Sequence, residues 1–209
     1  IAPEIRELYM PVSGVAHNLV IVSIDKTYPG QGMKVLSALF GAGQMMLSKY
    51  IIVVSSNVPV TDYHAVAEAF FANVRFESDL LLTRGPLDVL DHASDRFSMG
   101  GKLGIDATVK LSEERTGDYH SVPLLLLTDE EFTGNVITGM KTMAGHALPV
   151  AVLTISKPEE GLDMHLLAAS LPSSLTTPGN VIIAVDDGAD ADDPAMLTWL
   201  VTGNSDPAR

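Results

Sequence analysis

Six short runs along this chain are aliphatic and β-branched at consecutive positions, not at alternate ones. They are 19–24 (LVIVSI), 50–54 (YIIVV), 80–83 (LLLT), 124–128 (LLLLT), 150–155 (VAVLTI) and 181–185 (VIIAV). A strand with one wet face alternates polar and apolar residues, whereas a run that is apolar throughout is buried on both faces. Helical spacing fills the intervals. Met33, Leu36, Phe40, Met45 and Leu47 can share one broad face in the first interval. In the second, 63–74, Val66, Ala69, Phe70 and Val74 recur every three to four positions, with Glu68 on the polar side. That segment follows Thr61 and Asp62, whose side chains suit an N-cap. Doubly buried strands separated by helices imply an α/β fold. The expectation is a three-layer α/β/α, Rossmann-like arrangement on a mostly parallel sheet.

The chain also repeats. At a shift of about 131, VIVSIDK (20–26) lies on AVLTISK (151–157), and YIIVV (50–54) lies on VIIAV (181–185) without a gap. Gly30 then meets Gly161, Met33 meets Met164, Leu36 meets Leu167 and Ala38 meets Ala169. Further on, Asp62 meets Asp193 and Asn73 meets Asn204. Any two βαβ units share a pattern, but one ungapped register over some sixty residues favours duplication. Two related βαβα units are expected, a first domain at 1–118 and a truncated second copy at 119–209. The first copy runs on into a Gly-rich segment, 80–110; the second stops at Arg209, opposite Ser78.

Composition narrows the function. With 209 residues, 46% of them hydrophobic, the chain can bury one or two cores. Its net charge of −13 repels phosphate backbones and anionic membrane surfaces, so nucleic acid is not an expected partner. The absence of cysteine excludes disulfides and thiolate metal sites and accords with a reducing, cytoplasmic setting. The apolar runs fall far short of the roughly 20 residues that span a bilayer, so no integral membrane segment is expected. The opening at Ile1 has no basic stretch with an apolar core behind it, which argues against a secretory signal. The sequence reads as part of a longer protein.

Few residues carry recognisable chemistry. HExxH, GxSxG and calcium-loop patterns are absent, and His17, His64, His92, His120, His146 and His165 are scattered without ligand spacing. Asp186, Asp187, Asp190, Asp192 and Asp193 crowd one loop after a strand, where a cation is conceivable. A solvated turn whose Asp193 caps the next helix explains them more simply. Gly41-Ala42-Gly43 falls inside a helical stretch and so fails the strand-to-helix context of a dinucleotide fingerprint; close helix packing is the better reading. The informative segment is SMGGKLGIDAT (98–108). Gly100 and Gly101 could turn with positive φ and present amides, with Lys102 adding a cation, which is how proteins hold phosphate. A structural Gly-rich turn with an exposed lysine fits the same residues, and both readings stand.

Three stretches resemble the UbiD family, the 3-polyprenyl-4-hydroxybenzoate decarboxylases. They are YMPVSGVAHNLVIVSIDKTYPGQGMKVLSALFG (9–41), KYIIVVSSNVPVTDYHAVAEAFFANV (49–74) and GPLDVLDHASDRFSMGGKLGIDAT (85–108). They are similar to the family's V(I/V)xIxKxYPGxxxKV pattern, its next strand and helix, and its TPxDxLDxASP…GSKxGxDAT stretch. Residues 181–209, ending WLVTGNSDPAR, resemble the family's W-x-I-x-T-R-x-D-P-A-R. The resemblance implies non-oxidative, reversible decarboxylation of aromatic or α,β-unsaturated acids. The substrate could be 3-polyprenyl-4-hydroxybenzoate in ubiquinone biosynthesis. It implies prenylated FMN with a divalent metal (Mn) and often K, in a homo-oligomer with an upstream flavin-binding domain. The metal ligands and acid–base residues belong to that upstream domain, so no catalytic or metal residue is assigned here and no cofactor is expected on this fragment alone. Lys102, with Gly100 and Gly101 beside it, matches the family's lysine at the cofactor phosphate. Gly101 stands where the family has Ser, and Asp95 where it has Pro. Met99, Leu103 and Ile105 are offered as pocket side chains. The alternative is a duplicated α/β assembly or binding module without catalysis. On the first reading, this purified chain releases no CO₂ from aromatic acids even with prenylated FMN and Mn²⁺; measurable release overturns it.

Overall fold

A computed structural model describes residues 2–15, 17–115, 136–142, 149–157, 162–173, 175–176 and 180–208. The run at 124–128 lies outside them. The chain forms two compact units, one of Ile1–Ser121 with Thr198–Arg209, the other of Val122–Leu197. The final segment thus groups with the first unit.

In the first unit, strands β1 (Ile5–Tyr9), β2 (Leu19–Ile24), β3 (Tyr50–Ser55), β4 (Leu80–Pro86) and β5 (Met99–Ala107) form one sheet in the order β1-β2-β3-β5-β4. Every residue of β2 is buried. Its alternate side chains feed two cores. Leu19 and Ile21 pack with Val54, Val66, Ala69 and Ile105 beneath helix α2 (Tyr63–Asn73). Val20, Val22 and Ile24 pack with Ile51, Val53, Val35, Leu36 and Leu39 of helix α1 (Gln31–Phe40). The sheet thus carries apolar cores on both faces, as the unbroken apolar run requires.

The sheet is mixed, not mostly parallel. β2 pairs with β3 and β3 with β5 in parallel, but the outer strands β1 and β4 pair antiparallel with β2 and β5. β1 is largely exposed, and β4, whose start at 80–83 was expected to be buried on both faces, alternates partly buried with exposed residues, the pattern of a half-solvated edge. The helical interval at 33–47 is also broken. α1 ends at Phe40, and Gly43 takes φ 48° before a short 3₁₀ turn at Gly43–Leu47. Gly41-Ala42-Gly43 is therefore a helix stop and not a packing site within a helix.

The second unit contains β6 (Ile137–Thr142), β7 (Val150–Ile155) and β8 (Val181–Asp186) in the order β6-β7-β8, with helix α3 (Met164–Ser170) between β7 and β8. Its core gathers Ile137, Ala151, Leu153, Ile155, Leu167 and Leu175. Helix α4 (Pro194–Asn204) follows. Shifted by 131, the parallel registers coincide residue for residue: Leu19↔Tyr50 through Ile24↔Ser55 matches Val150↔Val181 through Ile155↔Asp186. The edge strands β1 and β6 both run antiparallel to the strand that follows, and each carries a bulge opposite the end of that strand, at Ile5/Glu7 and Ile137/Gly139. α2 and α4 correspond over their full lengths. Asp62 accepts from His64 N (3.0 Å) and Ala65 N (3.2 Å), and Asp193 accepts from Ala195 N (2.9 Å). At the other end Asn73 Nδ2 donates to Ala69 O and Asn204 Nδ2 to Leu200 O, both at 2.9 Å. Among the described residues, no helix is long and apolar enough to cross a membrane.

The caps supply a test of how these helices start. Asp62→Ala removes an acceptor for two first-turn amides, so a loss of about 1 kcal/mol of unfolding free energy is expected in urea titration, with Asp62→Asn nearly neutral.

Candidate functional site

β5 is the central surprise of the sheet. The sequence suggests a glycine turn here, yet Gly100 and Gly101 are strand residues and neither has positive φ; among the described glycines, Gly30 and Gly43 do. The missing side chains serve close approach instead. A Cβ on Gly104 would lie 2.9 Å from Leu36 of α1, and one on Gly100 would lie 2.8 Å from Leu87 and closer still to Ser94. A Cβ on Gly101 would lie 2.6 Å from Ala208 N and would overlap Asp206.

Three buried lysines surround the two ends of the parallel strands. At the carboxyl ends, Lys110 Nζ donates to Asp106 O (2.8 Å) and lies near the carboxylates of Asp79 (3.3 Å) and Asp106 (3.4 Å). Beside it Thr108 donates through N and Oγ1 to Asp106, and Lys26 bonds Thr108 Oγ1 (3.0 Å) and Glu114 (2.6 Å). Glu114 also accepts from Gly30 N and Leu111 N. Burial works to raise its pKa, but these bonds outweigh it and hold the carboxyl below its usual range. This cluster is closed upon itself.

At the amino ends, Lys49 immediately precedes β3 and its side chain is fully buried. It pairs with Asp91, whose side chain is 1% exposed, and donates to Thr202 O (3.0 Å) and Ser205 O (2.9 Å). Ser94 donates to Asp91 through both N and Oγ. Burial opposes ionisation of Asp91, yet the bonds from Lys49 and Ser94 leave its pKa lowered. The loop between β4 and β5 is pinned at three acidic positions, by Asp88 to His17 (2.8 Å), Asp91 to Lys49 and Asp95 to Arg84 (3.6 Å).

Lys102 differs from both of the other buried lysines. It is 2% exposed, and its ammonium donates to Met46 O (2.6 Å) and Pro86 O (2.7 Å) and lies 5.1 Å from the Phe40 ring centre. Among the described residues no carboxylate lies within ion-pair distance of it. Burial alone drives its pKa down to about 8. The reading of an exposed lysine on a turn is therefore replaced by a buried, uncompensated cation, which burial makes costly until an anion arrives. That geometry fits a phosphate at Lys102. It does not fit amide donation by Gly101, whose N–H is taken by Asp206 (3.0 Å).

The other expectations place simply. Met99 is exposed, Ile105 lies in the α2-side core and Leu103, partly buried, packs against that core. The aspartate loop is a turn: Asp190 accepts from Asp192 N (2.9 Å), Asp192 pairs with Lys141, and Asp193 caps α4. Among the described residues, no group of three histidines or acids could hold a metal ion; His120 and His146 lie outside those residues. Lys49 and Asp91 were not singled out from sequence. A charged residue abutting a run as apolar as YIIVV is the signal that could have found Lys49.

Comparison with known proteins identifies the family. Residues 1–107 match the family model of the 3-octaprenyl-4-hydroxybenzoate carboxy-lyase C-terminal domain. An uncharacterised protein of Helicobacter pylori (strain ATCC 700392 / 26695) is 33% identical over the whole of this chain, which covers 33% of that protein. One of Aquifex aeolicus is 45% identical over 54% of the chain and 23% of its own length. The chain thus spans a third or less of these relatives. The solved vanillic acid decarboxylase of Sedimentibacter hydroxybenzoicus, in its closed form, is 25% identical and superposes with a TM-score of 0.50 over 63% of this chain and 27% of its own.

The buried pair at the amino ends makes a stability prediction. Lys49→Met strands the Asp91 carboxylate and is expected to cost about 3–5 kcal/mol, while Lys49→Met with Asp91→Leu recovers most of it. Urea unfolding of the two single variants and the double variant measures the coupling; additive losses count against the pair.

Proposed function

We propose, from the premise that this chain belongs to the UbiD carboxy-lyase family through its C-terminal domain at residues 1–107, that it is the carboxy-terminal part of a flavin-dependent, non-oxidative decarboxylase of aromatic or α,β-unsaturated acids. The observation that carries the reading is Lys102, a buried ammonium with no carboxylate partner among the described residues. A phosphate dianion supplies the missing charge. The group proposed is prenylated FMN, held with Mn²⁺ and K⁺ by an upstream flavin-binding domain of the same protein in a homo-oligomer. When bound, that group would supply an electron sink for a decarboxylation.

This chain's residues bind and orient; they do not move protons. Phe40 and the carbonyls of Met46 and Pro86 fix the Lys102 ammonium, leaving one of its three protons for the phosphate. Gly85, two residues along β4 from Thr83, the partner of Lys102 in register, leaves room for the lysine's stem: a Cβ there would approach Lys102 Cδ to 3.2 Å. Gly100 and Gly101 shape the strand beside it. A polyprenylated hydroxybenzoate is the substrate that the family's name suggests. The matched registers of the two units favour a duplication, with the later residues a second, truncated copy. A module that only assembles or binds is the second reading, and the same measurement separates it.

In the full-length protein, Lys102→Ala is expected to weaken prenylated-FMN binding about tenfold to a hundredfold, the worth of a charge-assisted hydrogen bond of roughly 1.5–3 kcal/mol. Lys102→Met, which keeps the buried stem, should do the same with less effect on folding. The dependence on pH has a definite sign. Above a pKa of about 8 the unliganded lysine loses its proton, while the flavin phosphate, with a second pKa of about 6, stays a dianion. Affinity should therefore fall as pH rises past about 8 in the wild type, and this fall should vanish in Lys102→Met. Equal dissociation constants across all three proteins reject the cofactor role and favour the assembly module.

A further inference from the structure

The backbone around Lys102 is held by the segment that follows α4. β3 begins at Tyr50, opposite Leu103 of β5, so the residues of β5 before Leu103 extend past the end of their neighbour. Successive amides along a strand point to opposite sides, so Leu103 and Gly101 address the same edge. Leu103 N donates to Lys49 O at 2.8 Å. Gly101 N has no strand left to meet and donates instead to Asp206 Oδ1 at 3.0 Å. The Asp206 side chain thus adds one rung to a ladder that β3 has left. It is positioned for this by Ala208 N, which donates to the same oxygen at 2.9 Å.

The segment bearing Asp206 is fixed by several bonds to the same strand ends. Lys49 Nζ holds the carbonyls of Thr202 and Ser205, and Asn18 Nδ2 also donates to Thr202 O (3.1 Å). The first of these carbonyls lies in the last turn of α4, where a cation satisfies unpaired acceptors and the helix dipole together. Tyr50 Oη and Ser205 Oγ are 2.5 Å apart. The bonds close a ring: the Lys49 carbonyl fixes Leu103, the Lys49 ammonium fixes the terminal segment, and Asp206 of that segment fixes Gly101. Lys102 stands between the two fixed amides. Gly101 must lack a side chain because Asp206 and Ala208 pack directly on its Cα.

We propose that Thr202–Ala208 is a positioning strap for the phosphate-facing lysine, with Asp206 as the positioning residue that acts through the Gly101 amide. The inference rests on the cofactor reading of Lys102 and assigns the end of the second copy a task in the first unit. Asp206 acts as a hydrogen-bond acceptor in this role, and its charge is not required.

The test uses the full-length protein, prenylated FMN and two readouts, flavin affinity by fluorescence titration and hydrogen exchange at the Gly101 amide without flavin. Asp206→Ala should speed Gly101 exchange and weaken flavin binding about threefold to tenfold, as expected for one lost neutral-range hydrogen bond. Asp206→Asn, whose amide oxygen still accepts, should restore both. Tyr50→Phe removes one tether of Ser205, which keeps its bonds to Val201 O and Lys49 Nζ, without touching Gly101; it should shift both readouts the same way but less, which keeps the test open if Asp206→Ala fails to fold. Unchanged Gly101 exchange in Asp206→Ala overturns the strap. Tighter flavin binding in both Asp206 variants overturns it too, since it makes Asp206 a repelling charge. If Lys102→Ala lowers affinity and Asp206→Ala does not, the strap fails and the cofactor reading stands. If Lys102→Ala has no effect, the cofactor reading fails, and the strap's role toward that lysine falls with it whatever Gly101 exchange shows.

Discussion

Burial of β2 on both faces sets the terms for everything else in the first unit. A strand whose six residues are all buried needs apolar cover above and below and hydrogen-bonded neighbours on either side. α1 and α2 provide the cover, and β1 and β3 provide the neighbours. With β3 so placed, its other edge takes up β5, and β5 must then tolerate the close approach of α1. Glycine at 104 meets that demand directly, because a side chain there would press on Leu36. The same logic explains why a Gly-rich segment is a central strand here: glycine is costly in a strand for entropic reasons, and close packing from both sides offsets that cost.

Charge follows from the same geometry. A sheet covered on both faces leaves polar backbone unmet only at its ends, and the buried lysines gather there. Lys110 at the carboxyl ends and Lys49 at the amino ends each face carboxylates, and their surroundings are closed. Lys102 is enclosed by carbonyls and an aromatic ring and faces no carboxylate among the described residues. Burying an ammonium without an anion is the least favourable of these arrangements. An anion brought from outside these residues would offset that cost, which is the basis of the cofactor proposal.

The repeat connects the two themes. Equal parallel registers, like bulges on the edge strands and matching Asp and Asn at the ends of α2 and α4 are more than two βαβ units need to share. In the first copy the chain leaves α2 and goes on into β4. After α4 it runs instead to Asp206 and Ala208, which belong with the first unit.

Much of this was legible in the residues alone. Apolar runs gave β2, β3, β7 and β8 within a residue, because strands that pack against a core are predominantly apolar. Asp62 and Asp193 announced helix starts, because a carboxylate before a helix satisfies amides within its own few residues. The ungapped shift of 131 predicted matching units, since register is inherited with sequence. What the sequence could not decide depended on partners far along the chain. The edge strands β1 and β4 pair antiparallel through contacts no local pattern encodes, and β5 is a strand only because β3 and β4 flank it. Lys102 appeared as a lysine on a turn and proved to be a buried cation. Lys49 found Asp91 and the carbonyls of Thr202 and Ser205, and Gly101 found Asp206. Sequence determines which residues are apolar and how they recur. Tertiary structure alone decides which charges meet, because a buried charge is governed by the nearest opposite charge in space, and that neighbour can be a hundred residues away.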